Sequence, residues 1–385
     1  MLWARWVASV WLCTLAIISW RSALAATEWS AEPEVSLLLL HNTNPYLALD
    51  HERAVTSHRL DLNLPLIGES EVAKLHLEPQ LHLIRNPHWS ELDRNEYAID
   101  MSARRETELG NYGVRSDYTR DTTLTSELLD TGYVGVKKQR NLWSIEPYLN
   151  VQLAPPINLM TGLKYRKQSY QDAGATSLVG YEYAQANVAI AHELDDRDTL
   201  NCGVDHSRMS TERVVSDDTG LHCSLAREMS ESLHGSLTLG GHRTRNTGLF
   251  DAQSRSGSLA ALDLTYERED VRWGLRGSRS VEPSGYGLLV RTDQLALSAS
   301  HEINERLWSN ASISAYRYLM TTPVYDLPGR NYGLVNWHLV WQWLPEWTLE
   351  GGVDYARQRY DNSISYAAST TVTVQLTYRP EAFKK

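Results

Sequence analysis

Thr371-Val372-Thr373-Val374-Gln375-Leu376-Thr377-Tyr378 alternates a polar and an apolar residue at every step. A β-strand sends successive side chains to opposite faces, so this stretch has one greasy face and one wet face. The same period runs through Leu75-His76-Leu77-Glu78. It runs again through Ile145–Leu153, where Ile145, Leu149, Val151 and Leu153 oppose Glu146, Tyr148, Asn150 and Gln152. From residue 35 onward a period of two dominates, and no convincing helical stripe competes with it.

The connections between these runs alternate in length. Tight polar turns occur at Gly68-Glu69, Glu106–Gly110, Ala154-Pro155-Pro156, Asp195-Asp196-Arg197, Glu228–Glu231, Arg268-Glu269-Asp270, Glu302–Glu305 and Pro345-Glu346. Between them lie longer segments, such as Arg85–Glu96, Arg208–Asp218, Arg243–Arg255, Ser278–Arg291, Met320–Arg330 and Gln358–Ser369. Eight turns and nine loops predict 18 strands, with 16 as the lower bound, and put both chain ends on the tight-turn side. The expected fold is an all-β transmembrane antiparallel β-barrel with short periplasmic turns and long extracellular loops.

Alternation alone fits two architectures. In a soluble sandwich or propeller the apolar face is the core; in a membrane barrel it meets lipid and the polar face lines water. Three observations favour the barrel. The polar face is unusually charged for such regular strands. Trp273, Trp308, Trp341, Trp343 and Trp347 lie near inferred periplasmic turns, as an aromatic girdle would. Tyr118, Tyr165, Tyr170, Tyr181, Tyr183, Tyr316, Tyr318 and Tyr332 lie near the opposite ends and read as the second girdle. No fixed-period repeat supports a propeller.

Composition agrees. The 385 residues include 13 Trp and 20 Tyr against 2 Phe, which suits boundaries between water and grease. Residues 1–25 read as a secretory signal peptide: Arg5, the apolar Trp6–Trp20, then the small-x-small site Ala23-Leu24-Ala25 with cleavage after Ala25. Residues 26–385 then form one barrel domain. Beyond residue 25 no run reaches the roughly 18 apolar residues that a spanning helix requires. Removing Arg5 and Arg21 leaves 35 basic against 47 acidic residues, a net charge of −12, which argues against nucleic-acid binding.

Function is expected in the lumen. The polar parity carries Arg59, Asp61, Glu78, Arg104, Arg115, Asp117, Glu146, Lys164, Asp205, Asp263, Arg272, Arg276 and Asp354, with Asp100, Arg166, Glu267 and Glu350 beside them. Opposed Arg and carboxylates across a wet pore set up a transverse field that orients polar solutes; the alternative role for each is cross-strand pairing that stiffens the wall. The connection 118–138 is the longest. Arg120, Asp121, Glu127 and Asp130 within it are candidates for a constriction loop folded into the pore, the alternative being an exposed external loop. Cys202 and Cys223 share the apolar parity of consecutive strands. They are either a cross-strand disulfide in an oxidising compartment or two separate lipid-facing thiols. No metal site and no cofactor is expected.

No Gly-x-Ser-x-Gly, His-Glu-x-x-His or phosphate loop is present, so the chain is not read as an enzyme. An outer-membrane hydrolase, and a structural or adhesive barrel acting through its external loops, stand as alternatives. The stretch Ser116–Gly132, together with Asn44-Pro45-Tyr46 and Leu92-Asp93-Arg94-Asn95-Glu96-Tyr97, resembles β-barrel porin families of Gram-negative bacteria, including barrels found near exopolysaccharide and exosortase-type gene clusters. That resemblance implies an outer-membrane channel for polar solutes or for a secreted polysaccharide. The implied partners are outer-membrane lipid, the barrel-insertion machinery and a polysaccharide export apparatus. One departure is the end of the chain: Tyr378 closes the last strand, and Phe383 is followed by Lys384 and Lys385.

Overall fold

Eighteen antiparallel strands each pair with their sequence neighbour, and the last returns to the first. The computed structural model describes residues 27–49, 52–124, 126, 137–171, 178–248, 253–321 and 328–384. The signal peptide reading therefore lies outside the described residues.

The first strands are β1 (Glu28–Ala31 continued by Glu34–Asn42), β2 (Val55–Asn63 continued by Leu66–Glu69), β3 (Ala73–Arg85), β4 (Arg94–Thr107), β5 (Gly110–Thr122) and β6 (Gln139–Ala154). The middle ones are β7 (Ile157–Tyr170), β8 (Tyr181–Glu193), β9 (Asp198–Ser210), β10 (Val214–Ser230), β11 (Leu233–Gly248) and β12 (Gln253–Arg268). The last are β13 (Val271–Pro283), β14 (Leu289–Asn304), β15 (Leu307–Met320), β16 (Arg330–Leu344), β17 (Trp347–Tyr360) and β18 (Ala367–Tyr378, with Phe383–Lys384 beyond it).

The two broken strands have one cause. Pro33 and Pro65 have no N–H for the ladder and interrupt β1 and β2 at facing positions. The register survives: Glu28 opposes Glu69 and Glu34 opposes Asn63 in the same offset. The Glu32 N–H donates to the Pro65 carbonyl at 3.0 Å and covers the gap. Phe383 pairs with Ala31, so the segment after Tyr378 finishes the seam between the chain ends.

The wall is greasy outside. Val35, Leu37 and Leu39 on β1, Val188 and Ile190 on β8, and Val372 and Val374 on β18 are all exposed, and Leu221 on β10 is 61% exposed. A water-soluble protein rarely leaves such a continuous apolar band uncovered. Four of the tight turns share one device. A bulge displaces the register just before the turn, at Leu153, Met229, Ile303 and Trp343. Each bulged residue is large, apolar and exposed, so each adds an anchor at the rim. The β4–β5 hairpin is tighter still. Gly110 adopts φ +147°, and a Cβ there would lie 2.1 Å from the Asn150 carbonyl oxygen.

The loops are shorter than the sequence suggests. The segment expected as a loop at Arg208–Asp218 is a three-residue connection, 211–213, between β9 and β10. Strands reach 17 residues in β10. At ~3.4 Å per residue and ~40° tilt that is roughly 44 Å of height, against an apolar band of ~25 Å. The excess extends past the band on the loop side, where both faces of the wall are wet and alternation fades although the strand continues.

Candidate functional site

Cross-strand register carries one parity around the whole ring, so a residue opposite the aliphatic band on one strand meets its counterpart on the next. Arg59 and Asp61 on β2, Glu78 on β3, Arg104 on β4, and Arg115 and Asp117 on β5 all occupy the inward parity. Glu146 on β6, Lys164 on β7, Asp205 on β9, Asp263 on β12, Arg272 and Arg276 on β13, and Asp354 on β17 do the same. So do Asp100, Arg166, Glu267 and Glu350.

These charges are arranged in blocks. Glu78, Asp100 and Asp117 oppose one another in a single row across β3, β4 and β5. Next to that row, Arg115, Lys164 and Arg166 surround Glu146, which Lys164 holds at 2.6 Å. Arg115 also lies over the Tyr148 ring, 5.5 Å from its centroid. Ten strands from β6, on the opposite wall, His338 bridges two carboxylates: its Nδ1 is 2.7 Å from Glu350 and its Nε2 2.9 Å from Asp354. A cationic wall therefore faces an acidic one across the lumen. Elsewhere charges are paired locally: Arg59 with Asp61 at 2.5 Å, Arg272 with Glu267 at 2.5 Å, Arg276 with Asp263 at 2.7 Å and Arg104 with Glu106 at 2.6 Å. Such exposed pairs contribute about 0–1 kcal/mol each, so their field matters more than their stabilisation.

Glycines keep this charge close to the wall. The Asp205 carboxylate lies over Gly220, where a Cβ would be 2.6 Å from Oδ1. The His338 ring lies over Gly352 in the same way, with Nδ1 2.5 Å from a Cβ position, and the His242 ring lies over Gly257. The missing side chains leave seats along the wall in which polar groups lie flat.

The external mouth is different. Tyr181 and Tyr183 on β8 are 4% and 6% exposed and pack with Met209 on β9 and Leu289 on β14. Across the mouth Tyr332 packs with Leu47 and Ala367, against Tyr316 and Tyr318. Arg330 is 2% exposed, stacks over the Tyr318 and Tyr332 rings at 5.2 and 4.9 Å, and donates to Gln358 at 3.2 Å. Gln358 in turn donates to the Leu47 carbonyl at 2.9 Å. Residues 284–288, between β13 and β14, reach to the far side of this assembly. The Val179 N–H donates to the Gly285 carbonyl at 2.8 Å, and Gly287, at φ +74°, is seated against Val179 and Thr211. A segment that joins wall positions five strands apart must cross the opening. Residues 284–288 thus narrow the external end of the lumen.

This differs from the sequence reading in three respects. Two of the constriction candidates do not reach into the pore: Arg120 lies on the outward parity of β5 and donates to Gln139 at 3.0 Å, and Asp121 is locked into the wall by a two-point pair with Arg140, at 2.9 and 2.7 Å. Glu127 and Asp130 lie outside the described residues. Trp308 does not belong to the outer girdle, because it stands on the inward parity of β15 opposite Glu302 and Val340. Trp273, Trp341 and Trp343 are exposed on the outward face, and Trp347 packs against Tyr378 with the rings tilted and their centroids 4.7 Å apart. Of the tyrosines, Tyr118 and Tyr165 face outward, Tyr165 edge-on to Trp143 at 5.6 Å; the other six face inward and build the mouth.

Cys202 and Cys223 oppose each other on the outward face and are joined, with sulfurs 2.12 Å apart. At the external rim, Lys137 donates to the Glu91 and Asp93 carbonyls, and burial, then the neighbouring Arg94, holds its ammonium below the usual lysine range. Among the described residues no group of three His, Cys, Asp or Glu side chains is placed to hold a metal ion.

No protein-family model and no curated protein matches the sequence. Solved structures do match. Pseudomonas aeruginosa OccK2 (OpdF) in complex with glucuronate is 10% identical, with 92% of this chain and 98% of that chain covered and a TM-score of 0.50. The same OccK2 without that ligand is 9% identical over 91% and 97%, at 0.50. The outer membrane protein OpdK of the same organism is 10% identical over 92% and 99%, at 0.49. At these identities the likeness to OccK2 is one of fold: a closed 18-stranded antiparallel barrel, over nearly the full length of both chains.

Proposed function

We propose that this chain is an outer-membrane channel of a Gram-negative bacterium that passes small polar solutes through a charged lumen, and that it is not an enzyme. One observation carries the reading: a closed ring of strands with its aliphatic band outside and its opposed charges inside. Lipid offers no hydrogen bonds, so a closed ring is the arrangement of strands that suits it, and the wet parity then surrounds water. Residues 1–25 serve as the leader removed after Ala25, residues 26–385 form the barrel, and the barrel-insertion machinery takes the seam that ends at Phe383 as its substrate.

The cationic group of Arg115, Lys164 and Arg166 favours solutes with a carboxylate, and the acidic wall with His338 favours hydroxyl-rich ones. Sugar acids combine both features, and OccK2 was crystallised with one, glucuronate. A secreted polysaccharide, with an export apparatus behind it, is the finer reading implied by the resemblance of Ser116–Gly132. It needs the external mouth to open, since residues 284–288 cross it.

The test is a planar bilayer with purified protein, followed by liposome swelling with sugars and sugar acids of graded size. Discrete conductance steps, and faster swelling with glucuronate than with a neutral sugar of equal size, are expected. A bilayer that stays silent above folded, inserted protein would overturn the reading.

A further inference from the structure

Polar residues on the outward face need a reason, because that face meets lipid under the reading above, on which this inference rests. One group of them lies at the external ends of β11, β12 and β13. Ser254, Ser256 and Ser258 alternate along the outward parity of β12, all exposed. Arg243 on β11 donates to the Ser254 hydroxyl at 2.8 Å, and Arg279 on β13 donates to the Ser258 hydroxyl at 3.3 Å. Arg245 stands two residues beyond Arg243 on the same face, opposite Ser254 in register. Arg279 also grips Asp293 in two-point fashion, at 2.6 and 3.0 Å, and Arg291 reaches the same carboxylate at 3.3 Å. Four guanidiniums therefore stand near two carboxylates in this patch: Arg279 and Arg291 on Asp293, and Arg243 and Arg245 beside Asp217, which opposes Arg245 from β10 and is itself 3.7 Å from Arg208.

The wall itself is open at this place. Register between β12 and β13 stops at Ala260 opposite Arg279, although β12 runs on to Gln253 and β13 to Pro283. The two strands part above that pair, leaving serines and arginines on either side of a seam. The level is the outer edge of the apolar band: Leu262, Leu264 and Leu275 lie just below on the same face. In a bilayer that edge is where lipid phosphates sit.

We propose that Arg243, Arg245, Arg279 and the hydroxyls of Ser254 and Ser258 form a binding site for the phosphate groups of an outer-leaflet lipid. Guanidiniums bind phosphate through two parallel N–H donors, and the serines supply further donors at fixed spacing. Other strands of the wall carry a weaker set. There Arg85 is engaged by the Arg94 carbonyl and Asn95, Arg120 by Gln139, and Lys167 is neutralised by Glu182 at 2.7 Å.

The experiment uses the full barrel folded in a neutral detergent, with its heat-modifiable gel transition as the readout. The probes are bisphosphorylated lipid A, the same lipid stripped of phosphate, and inorganic phosphate. Bisphosphorylated lipid A is expected to raise the transition of the unaltered barrel, the stripped lipid and free phosphate are not, and Arg243→Gln/Arg245→Gln is expected to weaken the effect about tenfold or more in lipid concentration, as for loss of a charge-assisted contact. Arg85→Gln/Arg120→Gln on those other strands is expected to leave it unchanged. An equal effect from inorganic phosphate, or a double Arg243/Arg245 variant that responds like the unaltered barrel, would overturn the proposal. If the unaltered protein shows no heat-modifiable form in any detergent, the lipid-facing reading has failed instead.

Discussion

The carboxylate of Asp205 lies flat over Gly220, so close that a methyl group on Gly220 would stand 2.6 Å from its Oδ1. The two residues oppose each other on β9 and β10, and the glycine is what lets the charge follow the wall. The first prediction concerns that seat. Gly220→Val lifts the Asp205 carboxylate into the bore and crowds it against His222, which now lies 3.4 Å away. Single-channel conductance falls, and stability drops by about 1–3 kcal/mol from overpacking. Unchanged conductance in folded protein would show that the seat has no bearing on the bore.

Lys164 holds Glu146 at 2.6 Å within the cationic wall. Lys164→Gln removes a cation and frees the Glu146 carboxylate, so the positive balance that the wall shows a passing ion falls. The reversal potential in a salt gradient shifts toward cation preference, while stability changes by about 1 kcal/mol or less. Asp354→Asn on the opposite wall shifts it the other way.

Asp121 and Arg140 are 6% and 7% exposed, and their pair is a wall fastening. Asp121→Asn leaves a buried guanidinium short of its counter-ion, at a cost of about 3–5 kcal/mol. The heat-modifiable transition falls, and the conductance of the protein that does fold stays the same. A conductance change without a stability change would return Asp121 to the pore.

Residues 284–288 narrow the mouth, and Gly287 holds the φ of +74° that aims them inward. Gly287→Val is strained there, and its Cβ meets Val179 at 3.1 Å. The segment lifts away from the Val179 contact and open-channel conductance rises. If the variant conducts like the parent, the mouth is not limiting.

Cys202 and Cys223 are outward on adjacent, fully paired strands. Because the hairpin is already closed by its ladder, reduction changes stability by less than the ~3 kcal/mol of a free loop of comparable length. Selectivity is untouched. Gel transitions and reversal potentials with and without reductant check both halves of that statement.

Much of the architecture is legible in the sequence. Alternation at Thr371–Tyr378 and the rhythm of tight and longer connections specify the barrel and its strand number, since both follow from local chemistry. Parity also places the charged residues together on the polar face of the wall, because it propagates through register. Loop lengths are less legible: polarity on both faces ends the alternation but not the strand, as at Arg208–Asp218. Position along the strand alone misplaces most of the tyrosines. Tyr183 shares its parity with Gln185 and Asn187, not with Val188 and Ile190, and that signal is present in the chain. The crossing of residues 284–288 is not legible as a crossing, since it depends on a contact with Val179 more than a hundred residues away. Its one local sign is Leu288-Leu289-Val290, an apolar run without alternation at an end of the wall otherwise rich in polar residues.

The central claim is that the apolar parity faces acyl chains and the polar parity faces water. Spin labels placed singly at residues 371–376 in a Cys202→Ser/Cys223→Ser background, with the barrel in lipid bilayers, test it directly. At Val372, Val374 and Leu376 the label is expected to collide preferentially with dissolved oxygen, and at Thr371, Thr373 and Gln375 with a water-soluble nickel chelate. Oxygen preference at the threonines, or no alternation at all, would contradict the account.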